Sequence, residues 1–186
     1  MDELITVVSV GMLLVLLAAI WMYNRLIADR NQVLSAWSDI DVQLMRRHQL
    51  VPQLVETVKA YAAFEKSTLI AVTELRARSD SSRSLSDKAT IESNLHQSLQ
   101  TLLALAEAYP DLKADDNFRQ LQTELTALED HIQYARRFYN GAVRLLNTRI
   151  QSFPHLLLAR PLGFKEAEFF EVSGGHERAA PSLDIN

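Results

Sequence analysis

The side chains of greatest chemical reach early in this chain are Asp39, Asp41, Arg46, Arg47, Glu56 and Lys59. All flank a stripe of apolar residues that reads as one face of a helix. Two neighbouring carboxylates suggest weak hydrolase chemistry, provided Asp39 and Asp41 converge on one pocket with raised pKa values. Helix geometry opposes that, because residues two apart project about 200° apart around the axis. The plain expectation for these residues is a solvated face with local ion pairs, each contributing roughly 0.3–0.5 kcal/mol. The sharper expectation is a polar, partner-facing surface close to a membrane.

The remaining inventory holds little reaction chemistry. His48, His96, His131, His155 and His176 are scattered over separate segments and are expected at polar surfaces or boundaries, not as ligands. Helical bundles hold di-iron sites with a Glu followed three residues later by His, and no Glu here has that partner. There is no His-Glu-x-x-His, no Gly-x-Ser-x-Gly and no phosphate-cradling glycine loop. With no Cys, thiol chemistry and thiolate metal sites are excluded. Trp37, Tyr61, Phe118, Phe138 and Tyr139 stand at helical spacing and are expected in a core. The reading is therefore of a protein without catalytic residue, cofactor or metal, and not of an enzyme.

The elements that position these side chains are helical. Val33, Trp37, Ile40, Leu44, Val51, Leu54, Val58 and Tyr61 recur mostly at three- and four-residue steps, the period of an amphipathic helix. Pro52 falls inside this stretch; it either kinks one helix or opens a new one. A second helix, or a continuation, covers Glu65 to Arg78 with Leu69, Val72 and Leu75 inward. The polar run Ser79 to Ser84 reads as a loop that cannot bury itself. Ser84 or Ser86 caps a third helix with Ile91, Leu95, Leu99, Leu102 and Leu103 inward, stopping at Tyr109-Pro110. Asp115 or Asp116 caps the last long helix, whose stripe runs from Phe118 to Ile150 and ends at Pro154. Short connections between long amphipathic helices favour antiparallel neighbours. Phe164, Phe169 and Phe170 are expected as satellite packing, and Ser173 to Asn186 as a mobile tail.

Ahead of all this stands LITVVSVGMLLVLLAAIWMY, Leu4 to Tyr23, without a charge. At about 1.5 Å per residue it covers about 30 Å, the thickness of a bilayer core. Trp21 and Tyr23 sit together at its end, as interfacial rings do. A cleaved signal peptide would need a basic start, whereas Met1-Asp2-Glu3 is acidic. Arg25, Arg30, Arg46 and Arg47 follow the run and no basic residue precedes it, which places the N-terminus outside and the larger part in the cytoplasm. The absence of Cys agrees with a reducing compartment. A net charge of -4, with both signs mixed along the chain, argues against nucleic acid as partner.

Longer motifs then agree in order. They are Tyr23-Asn24-x-Leu26, Arg30-Asn31, Ala36-Trp37-Ser38-Asp39-Ile40-Asp41-Val42-Gln43-Leu44, Arg46-Arg47 and Leu50-Val51-Pro52-x-Leu54-Val55-x-x-Val58-Lys59-x-Tyr61-Ala62. Glu107-x-Tyr109-Pro110-Asp111-Leu112-Lys113-Ala114, Phe118-x-x-Leu121-Gln122-x-Glu124-Leu125, Arg136-x-x-Tyr139-Asn140, Asn147-x-x-Ile150, Phe153-Pro154 and Gly163-Phe164 follow. Over nearly its whole length the chain resembles the LemA family. One departure is Phe64, where the family often has a small polar residue or His. The resemblance implies a single N-terminal membrane helix, a cytoplasmic helical bundle and no assigned catalytic residues. It also implies association with magnetosome membranes, membrane proteases or small membrane domains in related proteins. Asn24, Asn31, Asn140 and Asn147 are expected to bridge helix ends and satisfy backbone groups.

The expectation is an all-α chain: a transmembrane anchor over 1–23, continuing into an up-and-down antiparallel bundle of about four helices over 24–158, then a C-terminal extension over 159–186. The expected function is a single-pass scaffold or adaptor at a bacterial inner membrane. Its expected partners are the lipid bilayer, other membrane proteins (a membrane protease among them) and further copies of itself. The alternative is a protease regulator or a weak hydrolase.

Overall fold

The computed structural model describes residues 1–62 and 65–171, and among them there is no strand. The sequence positions of Phe64 and of the Ser173–Asn186 tail lie outside the described residues. Helix α1 runs unbroken over Asp2–Tyr61, 60 residues, with Pro52 inside it. Proline has no N–H to give the carbonyl four residues back, here that of His48. Arg76 fills that place: its Nε donates to the His48 carbonyl oxygen at 2.9 Å. The neighbouring helix thus supplies the hydrogen bond that the proline withholds.

Helix α2 covers Lys66–Ser81 and α3 covers Leu85–Ala104. Ser84 is the cap of α3, accepting from the Asp87 N–H at 3.3 Å. A 3₁₀ turn at Leu105–Glu107 follows, and Pro110 opens the short α4, Pro110–Ala114, where its missing N–H costs nothing. Asp115 is the cap of α5, Asp116–Gln151; its Oδ1 accepts from the Phe118 N–H at 2.8 Å. The short α6 is Leu156–Ala159. The expected loop at Ser79 is corrected: α2 extends to Ser81 and Ser79 is fully buried, because its hydroxyl finds a carboxylate partner inside.

The described residues divide into two compact units, Met1–Met45 with Glu129–Phe169, and Arg46–Leu128 with Phe170 and Glu171. In the first, α1 and α5 run antiparallel. Asp29 pairs with Arg149, while Trp37 meets Tyr139 edge-on at 5.7 Å, so ascending numbers on one helix meet descending numbers on the other. Leu26, Ile40 and Leu44 of α1, with Val143, Leu146 and Ile150 of α5, are among its buried side chains. Past α6, Gly163 at φ 75° turns the chain into an extended segment; that left-handed conformation favours glycine. Asn147 holds this segment with both ends of its amide, donating to the Ala167 carbonyl and accepting from the Ala167 N–H, each at 2.9 Å. The Tyr139 hydroxyl donates to the Glu168 carbonyl at 2.9 Å. Phe164 packs edge-on against Tyr23, and Phe169 is exposed.

In the second unit four long helices and the short α4 bury one core. It takes Val51, Leu54 and Val58 from α1, Leu69 and Val72 from α2, Leu95, Leu99 and Leu102 from α3, and Phe118, Leu121 and Leu125 from α5, with Leu112 of α4. Each such side chain contributes roughly 1.5–3 kcal/mol on burial. That is the force behind the regular three- and four-residue spacing. The expected bundle is thus present as helices that pack on one another.

Candidate functional site

The first candidate surface is the apolar run itself. Residues Leu4 to Leu17 are bare: Leu14 is 61% exposed and Leu17 53%. An aqueous helix would not leave so long a run uncovered. By length and composition this part of α1 is able to cross a membrane, and none of its most apolar stretch is covered by protein.

Of the residues expected on a partner-facing surface, Asp39, Arg46, Glu56 and Lys59 are exposed and Asp41 is half-buried. Arg47 is corrected: it is 3% exposed. Its Nη1 reaches Glu92 Oε2 at 3.0 Å, so it faces inward to a carboxylate and not outward to a partner. Asp39 and Asp41 do not share a face, since two helical steps separate them by about 200°. Next to Lys59, an apolar groove of about 470 Å³ opens between α1 and α2, lined by Val55, Lys59, Lys66, Leu69, Ile70, Thr73 and Glu74.

The second candidate is a buried charge cluster that the sequence reading missed. His48, expected at a surface or boundary, is 5% exposed and Glu92 is 4% exposed. His48 Nδ1 lies 2.7 Å from Asp80 Oδ1, and its Nε2 lies 2.7 Å from Glu92 Oε1. Carboxylate oxygens only accept, so both ring nitrogens donate and the imidazole is the charged form. Neither nitrogen keeps a lone pair for a metal. The Ser79 hydroxyl donates to the same Glu92 oxygen. Glu92, on α3, thus joins Arg47 and His48 of α1 to Ser79 of α2.

The electrostatics follow from that geometry. Burial alone disfavours a charged His48, but hydrogen bonds and charges from Glu92 and Asp80 outweigh it and raise its pKa above the ordinary value. Burial alone likewise pushes Glu92 up, but the hydrogen bonds from His48 and Ser79 and the Arg47 charge bring it below the ordinary carboxylate range. Opposite charges that satisfy one another in a dry interior fix register more than they drive a reaction. A second inward pair, Asp29 with Arg149, lies in the other unit; Asp29 is 3% exposed. At the far end of α1, the Tyr61 hydroxyl donates to Asp115 Oδ2 at 2.9 Å. Among the described residues no group of three or more His, Asp or Glu is placed to hold a metal ion.

Known proteins share this arrangement of sequence. The chain is 28% identical over 151 residues to Protein LemA of Metamycoplasma hominis, covering 81% of this chain and 69% of the relative. It is 27% identical over 192 residues to Magnetosome protein MamQ 2 of Paramagnetospirillum magneticum, covering 89% and 71%. It is 25% identical over 210 residues to Magnetosome protein MamQ of Magnetospirillum gryphiswaldense, covering 98% and 75%. Residues 36–185 match the family described as LemA family, and the chain belongs to that family.

Proposed function

We propose that this protein is a membrane-anchored scaffold without catalytic activity of its own. The observation that carries this is the apolar run Leu4–Tyr23, bare over Leu4–Leu17 and continuous in one helix with the packed bundle. In lipid, a helix satisfies its own backbone groups and needs no protein cover. Trp21 and Tyr23 stand where interfacial rings anchor, and the arginines that follow orient the bundle to the cytoplasmic side of the inner membrane. The names of the MamQ relatives tie those proteins to magnetosomes, which fits an assembly role at a membrane. Exposed Lys59 with the apolar groove beside it is the surface offered to membrane or membrane-associated partners, and Arg46 and Glu56 are further exposed charges of the same unit.

The chain has no Cys, so single cysteines report topology cleanly. In intact cells, a membrane-impermeant maleimide should label D2C and should label T101C only after lysis. Equal labelling of both before lysis would reject the orientation. Recovery of the intact chain in the soluble fraction without detergent would reject the anchor. Crosslinking in intact membranes, read by mass spectrometry, tests the scaffold role: partner proteins should be recovered from the wild type and lost from a variant carrying K59A and E56A. Recovery of the chain alone would reject it.

A further inference from the structure

Within the first unit, a cavity of about 440 Å³ lies directly beyond the apolar run, walled by Tyr23, Ile27, Arg30 and Leu34 of α1 and by Phe164 and Lys165 of the extended segment. We infer that this cavity is a binding site for one anionic phospholipid, its phosphate held between Arg30 and Lys165 and its glycerol backbone lying against Tyr23, Ile27 and Phe164. The inference rests on the reading of Leu4–Tyr23 as a membrane span.

Depth is the first argument. Arg30 is seven residues past Tyr23 on an unbroken helix, about 10 Å along the axis. The headgroup layer adds roughly 5–8 Å on each side of the hydrocarbon core. Tyr23 therefore stands at the edge of the hydrocarbon, and Ile27, about 6 Å further on, at the level of the glycerol and phosphate groups. Arg30, on its long stem, reaches back to the phosphates. Charge is the second. Among the described residues neither the Arg30 nor the Lys165 side chain has an ion pair or hydrogen bond. Glu166 also lines the cavity, so two cations face one carboxylate and the balance is positive. A guanidinium fork and an ammonium suit a phosphate diester.

Preorganisation is the third. The wall that carries Lys165 is not a loose strand. Gly163 turns it, and Asn147 clamps it at Ala167 through two hydrogen bonds. The size suits a phosphate with its glycerol, the chains remaining in the bilayer, since sites of about 300–1,000 Å³ hold small molecules. A purely apolar occupant, such as another helix, would leave both cations without a partner.

The test uses the full chain. Flotation with vesicles of phosphatidylcholine alone reports the span: failure to float overturns the span and this proposal with it. Given flotation, the chain is placed in nanodiscs of equal phosphatidylcholine and phosphatidylglycerol and released for native mass spectrometry. One phosphatidylglycerol should be retained in preference to phosphatidylcholine. R30Q/K165Q should cut that retention at least about tenfold, with an unchanged far-ultraviolet spectrum, since both side chains are exposed. R25Q removes a juxtamembrane charge outside the cavity and should change retention less than about twofold. Equal retention of the two lipids, indifference to R30Q/K165Q, or displacement by millimolar inorganic phosphate would each overturn the site.

Discussion

Replacing Arg76 by Ala tests how α1 tolerates its internal proline. The substitution strips the His48 carbonyl of the donor that stands 2.9 Å away. An acceptor left unmet costs about 1–3 kcal/mol when fully buried. The Arg76 side chain is 36% exposed, so water recovers part of this and about 1–2 kcal/mol is expected. The ion pair of Arg76 with Asp80, at 3.8 Å and half in solvent, adds little. For a chain of this size that is a fall in Tm of roughly 2–8 °C. The decisive measurement is the double-mutant cycle with P52A. An alanine at that position carries an N–H that reaches the His48 carbonyl, so R76A should cost about 1 kcal/mol less in the P52A background. Urea unfolding of the full chain in micelles, followed by circular dichroism, supplies the four stabilities. Equal cost of R76A in both backgrounds, within about 0.3 kcal/mol, would refute the reasoning.

Other expectations follow from the same structure. E92L should destabilise by about 3–5 kcal/mol, because it leaves Arg47 and His48 as buried cations without their shared anion; the concerted R47M/E92L change should cost less than E92L alone in the same assay. The pH dependence has a defined sign. Glu92, with its pKa lowered, contributes fully above about 4.3 and loses that contribution as acid carries the pH down through its folded value. His48, with its pKa raised, contributes fully below about 6.5 and loses that contribution as the pH rises through its folded value. The cluster should therefore stabilise most between those limits, and E92Q should flatten the profile across them. N147L should free the extended segment at a cost of about 1–3 kcal/mol, seen as faster tryptic cleavage after Lys165. Placing Lys at both Leu13 and Leu14 should add roughly 5–7 kcal/mol to the insertion of the apolar run, and the fraction that resists alkaline extraction should drop.

The helices were legible because burial imposes its period on the sequence. The caps at Ser84 and Asp115 were among the readable alternatives, since short polar side chains there have one strong use. The charge cluster was not read, although a signal for it existed. The apolar stripe of α1 jumps from Leu44 to Val51, and Arg47 and His48 fill the gap. Glu92 stands three residues before Leu95, on the same face as Leu99 and Leu102; Ser79 continues Leu69 and Val72 in the same way. Asp29 fills the gap between Leu26 and Val33. A polar residue at a stripe position is buried when another stripe offers its counterpart, and no single helix reveals the counterpart. That pairing is a property of three-dimensional packing, so it emerged only with the structure. The cavity beside Arg30 was hidden for a similar reason, since the residues that wall it come from distant parts of the chain.

The shared carboxylate of Glu92 also shapes how such a chain diverges. Three side chains from two other helices lean on one acceptor, so any lineage that loses it first inherits two buried cations deprived of their shared carboxylate. Drift at residues 47, 48, 79 and 92 must then proceed by near-simultaneous replacement or not at all. Across a wide collection of descendants these positions should change as a linked set, with intermediates that carry one altered member scarce among survivors.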